Sequence, residues 1–396
     1  MQYDYDIIIV GGGLAGNCLA LALQETGLNI ALVEAQTRQQ LHESPAGDRA
    51  LALAAGTIQM LEGLKAWQPS KPFATAITNI HISDAGHFGK TRLSAKKQQV
   101  EALGYVIAAR DLEDQLAECV EQTSTTLFSP ARVVGLISNE KQACLSLKMA
   151  NETINLSASL IIGADGGNSS IRRLLEIDQK KVDYQQTAIV TTISTEIPHN
   201  NTAYERFTRS GPLAMLPIAV NQSALVWTRS HEEAELLLAM SETEFTEQLQ
   251  QCFGYWLGEL KLSAARRAFP LSLIQATQMV KGRVVIIGNA VHQLHPVAGQ
   301  GFNLGIRDVV QLANNIIKQH QQKQAIGDKN FLENYQTQRH LDHEKTIQFT
   351  DNVVKIFSNE WLLLAAIRNT GLTLLDHIPM AKNTLARHAM GLNNSS

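Results

Sequence analysis

The sequence has no run of basic residues, and its 34 Lys and Arg are balanced by 37 Asp and Glu to a net charge of -3. The electrostatic footprint of a nucleic-acid-binding surface is therefore missing, and that class is excluded. Its four cysteines, Cys18, Cys119, Cys144 and Cys252, are scattered. That spacing makes neither a metal set nor a short redox pair and fits buried thiols in a reducing compartment. No apolar stretch approaches the roughly 20 residues of a membrane-spanning helix; the nearest, starting at Trp361, is interrupted by Arg368. No internal repeat or low-complexity linker is visible. The opening residues lack the positive region and cleavage site of a secretory leader, so a cytoplasmic location is expected.

A chain of 396 residues is too long for one small core and suits two intimately packed domains. Ile7, Ile8, Ile9 and Val10 form an apolar run without alternation, as in a parallel strand covered on both faces. Gly11, Gly12, Gly13 and Gly16 follow. Gly11 permits a tight turn, Gly13 lets the backbone approach a pyrophosphate, and Gly16 lets a helix over about 14–26 pack closely on the sheet. Leu14 and Ala15 open that helix, where free amides and the dipole favour an anion. Glu34 ends the second strand and is placed to accept hydrogen bonds from a ribose. A carboxylate repels a 2′-phosphate, so the nucleotide is FAD or NAD rather than NADP. An ordinary strand-to-helix turn could also carry these glycines, but the strand before, the helix after and the acid at this distance together favour a dinucleotide.

Two later segments repeat that logic. From Leu160 an apolar strand stops at Gly163 and enters Asp165, Gly166 and Gly167. Asp165 either fixes a tight loop or bonds a ligand hydroxyl, and Ser169 or Ser170 can cap the next helix. The span 282–308 reads as a buried strand, the pair Gly288 and Asn289, a polar loop with His292 and His295, and a helix running to about 318. Pro296 stiffens the loop, while Gly299 and Gly301 free the chain around Gln300 to aim amides at an acceptor. His292 and His295, with no carboxylate nearby in the sequence, do not make a metal site. Residues 182–267 change texture to threonine-rich, alternating stretches that predict antiparallel strands. Within them, 232–252 reads as one charged amphipathic helix. The chain from Phe331 onward is mostly helical. Its final segment, with Gly371, Lys382, Arg387 and His388, reads as a core or dimer helix or as one lying on a membrane surface.

These three motifs, in this order, resemble the FAD-dependent aromatic hydroxylases, the group A flavoprotein monooxygenases with the para-hydroxybenzoate hydroxylase fold. Among them the chain is most similar to the ubiquinone-pathway hydroxylases that act on a 2-polyprenyl-6-methoxyphenol. The strings Asp48–Thr57, 74–87 and His295–Asp308 carry that likeness. The resemblance implies an α/β fold, with a Rossmann-like FAD-binding domain, a β-sheet substrate domain and a helical C-terminus. The expected division is 1–74, 94–181 and 268–345 for FAD, 75–93 and 182–267 for substrate, and 346–396 for the C-terminal region.

The resemblance also implies site roles. Gly11, Gly13, Leu14, Ala15, Gly16 and Glu34 would hold the ADP half of FAD, Arg49 and Arg110 would lie along it, and Asp165 near the pyrophosphate. Gly288, Asn289, Pro296, Gly299, Gln300, Gly301 and Asn303 would meet the flavin side. Asn289 replaces the usual Asp of that pair and can still accept the bond, with weaker FAD retention. The implied reaction uses NAD(P)H and O2 through a flavin C4a-hydroperoxide, in a dry pocket near Pro296 and His295; His81 and His87 are further acid–base candidates. Implied partners are a polyprenylated phenol, a quinone-biosynthesis complex and peripheral contact with the inner face of the cell membrane; oligomeric state is left open. The rivals are an FAD-dependent hydroxylase at another ring position or on another phenol, another flavin enzyme such as a prenyl reductase, and a non-catalytic FAD-binding member of a quinone-biosynthesis complex. The isolated Trp67, Trp227, Trp256 and Trp361 lack a halogenase motif.

Overall fold

The computed structural model describes residues 3–67, 74–84, 90–139, 141–150, 152–208, 210–295, 299–357, 387 and 390–391. Strand Tyr5–Val10 pairs in parallel with Ile30–Val33 on one side and Glu152–Gly163 on the other. Ile7 to Val10 are all buried. Coverage of both faces by helices is why the run shows no alternation. Val284–Ile286 and Thr126–Phe128 extend this sheet in parallel, and Arg132–Ser138 and Ala143–Met149 add an antiparallel flank. Helices Leu14–Leu23, Ala109–Glu121 and Gln300–Gln321 share its core. The first of them stops at Leu23, short of 26, where the Thr26 amide and hydroxyl both turn back onto the Leu23 carbonyl. The four cysteines are free thiols; Cys18 is buried, whereas Cys119, Cys144 and Cys252 are half-buried rather than core residues.

A second, mainly antiparallel sheet is built around the long strand Gln179–Thr195, flanked by Arg267–Ala276 and Gln222–Ser230. Gly211–Ala219 and Thr202–Thr208 follow, and Asn79–Asp84 joins by parallel pairing to Thr202–Thr208. One face is covered by helices over Ile189, Ile193, Leu213, Met215, Leu225 and Trp227. Here the single helix expected over 232–252 is two, His231–Ala239 and Glu242–Phe253. Met240 is extended between them, and Ser230 with Glu233 and Ser241 with Glu244 each form a capping box. Two Ser-x-x-Glu starts satisfy the free amides of two separate helices, which is a reason to break one.

The other face carries Val190, Val226 and Ala214 opposite one another across three strands, all half-buried. Its Leu216 and Ile218 pack with Ile77 and Val106 of a small sheet made by Ala50–Ala54, Gly104–Ala108 and Thr75–Ile77. Helix Lys329–Phe357 runs unbroken across residues 345 and 346. The amphipathic segment expected after Trp361 falls almost wholly outside the described residues. Among the described residues, no helix is long and apolar enough to cross a membrane.

Candidate FAD and substrate site

Because Tyr5–Val10, Glu152–Gly163 and Val284–Ile286 are adjacent and parallel, their C-terminal ends bring the three glycine turns side by side. Such a crevice beyond the carboxyl ends of parallel strands is where open α/β sheets bind ligands. Gly11 has φ +108, and a Cβ there would lie 2.5 Å from the Ala164 carbonyl oxygen of the neighbouring turn. A Cβ at Gly16 would collide with the Gly11 carbonyl oxygen. Gly13 differs, since a Cβ there meets nothing within 4 Å. Helix Leu14–Leu23 starts at Gly13 with no side-chain cap and no acid in its first turn, so its first amides are available for a ligand's negative charge.

Glu34 accepts from the Gly12 amide at 2.8 Å and the Gln36 amide at 2.9 Å. It lines a cavity with Gly12, Asn17, Arg38 and Leu41. A carboxylate offers about four acceptor positions, so capacity for a ribose remains. Arg110 lines the adjoining cavity with Gly13 and Glu113. Its Nη2 is 2.7 Å from Asp48, and its buried Nε has no partner among the described residues. Asp48 also pairs with Arg267 of the large sheet at 2.7 Å, and the Arg49 guanidinium lies 6.0 Å from the Phe269 ring. Asp165 serves the turn with one oxygen: Oδ2 accepts from the Ser170 amide and hydroxyl and the Ile171 amide at 2.6, 2.7 and 3.1 Å. Its Oδ1 is buried without a partner among the described residues. Ser169, not Ser170, caps the helix, accepting from the Arg172 amide. An uncapped helix start, an open Gly13, an orphaned Asp165 oxygen and an orphaned Arg110 nitrogen together fit an FAD.

On the flavin side, Gly288 has φ +59 and stands 3.3 Å from the Ala15 Cβ, measured from the Cβ it lacks. Asn289 is exposed on that turn. Gly299 also takes a left-handed φ, +62, and a Cβ there would press on the Ala52 carbonyl oxygen at 3.0 Å, while Gly301 is open. Helix Gln300–Gln321 begins here. Asn303 is turned inward: its Nδ2 donates to the Gly299 carbonyl at 2.7 Å, and its Oδ1 accepts from the Thr57 hydroxyl at 2.6 Å and the Ala54 amide at 3.3 Å. Its side chain therefore holds the turn in place. Arg172 is a further turn-holder that sequence reasoning missed, donating to the Ala290 and Gly167 carbonyls at 2.7 and 2.6 Å.

His295 is fully buried, with Nε2 3.2 Å from Gln186 Oε1. Gln186 donates its amide nitrogen to the Ser210 carbonyl, so its oxygen faces His295 and His295 must carry the Nε2 proton. Burial pushes its pKa down to about 4, leaving a neutral ring edge-on to Tyr184 at 5.3 Å. His81 lies elsewhere, on the helix-covered face against Trp256 and Tyr204 at 4.2 and 5.7 Å. Burial and the nearby Arg92, Lys90 and Arg206 lower it to about 4. Pro296 and His87 fall outside the described residues. His292 does have a carboxylate nearby, contrary to the sequence reading: Asp308 lies 3.1 Å away. Sixteen positions of chain separate them, and only the packing of the long helix under the turn brings them together.

A family profile described as an FAD binding domain matches residues 4–350. Ubiquinone hydroxylase UbiL of Rhodospirillum rubrum is 32% identical over 98% of this chain and 89% of its own length. The 3-demethoxyubiquinol 3-hydroxylase of Escherichia coli is 29% identical over 98% of both. Among solved structures, p-nitrophenol 4-monooxygenase PnpA of Pseudomonas putida superposes with a TM-score of 0.79 over all of both chains at 15% identity, a likeness of fold. With the glycine turns, the Glu34 cavity and the two-sheet architecture all in place, the chain belongs to the FAD-binding family of flavin-dependent aromatic monooxygenases.

Proposed function

We propose that the chain hydroxylates the aromatic ring of a polyprenylated methoxyphenol in ubiquinone biosynthesis, with FAD as cofactor, NAD(P)H as electron donor and O2 as co-substrate. One observation carries the substrate class: the large-sheet face turned towards the small sheet and the Gly299 turn is apolar and half-buried, through Val190, Val226, Ala214 and Leu216. Such a wall suits a ring with a hydrocarbon tail better than a small charged acid. The names of the two relatives point to the same pathway.

When bound, FAD would supply hydride acceptance from NAD(P)H and activation of O2, the chemistry by which one oxygen atom would enter the ring and the other leave as water. The protein's share is placement and electrostatics. Gly11, Gly13, Gly16 and the amides after Gly13 receive the pyrophosphate, and Glu34 receives the ribose. Arg49, Arg110 and the Asp165 oxygen without a partner among the described residues would serve the cofactor's length, and Gly288 and Asn289 its ribityl chain. The amides of Gln300 and Gly301 supply positive potential to the flavin ring, an effect of up to about 2 kcal/mol. Neutral His295, fixed by Gln186, shields the reacting ring from water, and Pro296, the next residue in the sequence, is the second residue we assign to that role. In this reading residues 1–74, 94–181 and 268–345 hold FAD, 75–93 and 182–267 face the substrate, and 346–396 form the C-terminal region. A prenylated substrate favours contact with the inner face of the cell membrane, and membership of a quinone-biosynthesis complex goes with this reading.

The test is mass spectrometry of a reaction of purified protein, FAD, NAD(P)H, O2 and a short-chain 2-prenyl-6-methoxyphenol. One added oxygen atom is the expected outcome. Bound flavin with no product would overturn the substrate assignment.

A further inference from the structure

Asp308 is fully buried in helix Gln300–Gln321. Its Oδ2 accepts from the Gly288 amide at 3.3 Å and from His292 Nε2 at 3.1 Å. Its Oδ1 accepts from Arg339 Nε at 2.7 Å and His343 Nε2 at 2.6 Å, and its backbone carbonyl accepts from the Tyr335 hydroxyl at 3.2 Å. Burial alone would raise its pKa, yet His343, His292 and Arg339 hold it well below the usual carboxylate range. Arg339 also pairs with Asp342 at 2.7 Å, and Asp342 with Arg307 at 2.9 Å. The result is a charge-balanced ladder running from the core to the half-buried rim.

The ligand atoms of His292, Asp308 and His343 lie within 4.8 Å of one another, close enough for a metal ion. Four donors, however, already fill the roughly four acceptor positions of the carboxylate, and one is a guanidinium. The arrangement is a hydrogen-bonded hub. Its donors come from two places: the Gly288–His292 turn on the flavin side and the C-terminal helix Lys329–Phe357.

We propose that Asp308 is a positioning residue for the cofactor site, one oxygen setting the Gly288 amide and His292 and the other fastening the C-terminal helix, so that FAD binding and the seating of that helix are coupled. Gly288 is held in a left-handed conformation against Ala15, and the direction of its N–H is fixed by Asp308. A ligand that needs this turn therefore needs the hub complete, and the hub is complete only with Arg339 and His343 in place. By linkage the bound ligand holds the helix as strongly as the helix holds the ligand's turn. The inference rests on the FAD reading of the turns.

Hydrogen exchange of the full chain, with and without added FAD, tests it. Amides of Lys329–Phe357 should exchange about tenfold more slowly with FAD bound, the protection that a tenfold coupling gives. His343→Ala should weaken FAD binding about tenfold in a flavin-fluorescence titration, and His343→Gln, which keeps an N–H for Asp308, should recover most of it. Exchange in the wild-type helix that ignores FAD would overturn the coupling, whether or not the variants fold. So would a His343→Ala chain that melts lower but binds FAD like wild type. Flavin bound with an indifferent helix sinks this inference alone, whereas a wild-type chain that takes up no flavin sinks it together with the function proposed above.

Discussion

At the scale of single residues, glycines in one motif do different physical work. Gly11 and Gly16 are required by the protein itself, because a side chain at either would enter neighbouring backbone. Gly13 has φ -81 and open space around its missing side chain, so nothing in the protein demands a glycine there. Gly13→Glu should therefore fold, with a melting temperature close to wild-type apoprotein, yet purify colourless, since a carboxylate would stand where the pyrophosphate belongs. A yellow, flavin-loaded variant would contradict the placement. Asn289→Asp should act in the opposite direction. A charged acceptor is worth about 1 kcal/mol more than a neutral one, which predicts roughly fivefold tighter FAD in an equilibrium titration.

At the scale of elements, the start of helix Gln300–Gln321 is held by Asn303, which ties the Gly299 carbonyl to Thr57 and Ala54. Asn303→Ala removes three hydrogen bonds, two of them buried, and should cost about 2–3 kcal/mol. Part of that loss should appear as weaker FAD binding, measured by comparing unfolding of the apo and flavin-bound forms; equal losses in both would show that the turn does not serve the cofactor. Strand Gln179–Thr195 has a comparable device. Its register shifts between Asp183 and Gln186, with Gln185 at φ +56, and this bulge turns both Tyr184 and Gln186 onto His295. Bulges of this kind re-aim side chains near functional sites.

For the whole molecule, acid stability follows from histidines folded in their neutral form. His295 and His81 both fall to about 4 from the usual 6.5, chiefly through burial. A depressed folded value gives stability that is full above about 6.5 and is lost as pH falls towards 4. For His295 the full loss is on the order of 3 kcal/mol. The urea midpoint should therefore drop across that window, and His295→Asn should flatten the drop while lowering the plateau at neutral pH. A midpoint as steep in the variant as in wild type would assign the acid sensitivity to other groups.

The nucleotide-binding βαβ unit, the order of the three turns and the family are legible along the chain, because glycine spacing, unbroken apolar strands and the placement of Glu34 are local chemistry displayed in order. The two capping boxes that split 232–252 were equally legible, though an amphipathic pattern alone concealed the break. Which side chains reach into the site depends on how the sheets and helices pack. Asp308 on Gly288, Arg172 on Ala290, Asp48 on Arg267 and Gln186 on His295 act across 20 to 219 positions of chain. His81, an acid–base candidate by sequence, is instead turned to the opposite face of the sheet, against Tyr204 and Trp256, by the strand's two-residue period. Burial and long-range pairing, which set the charge of Asp308 and the tautomer of His295, exist only once the sheets have packed together.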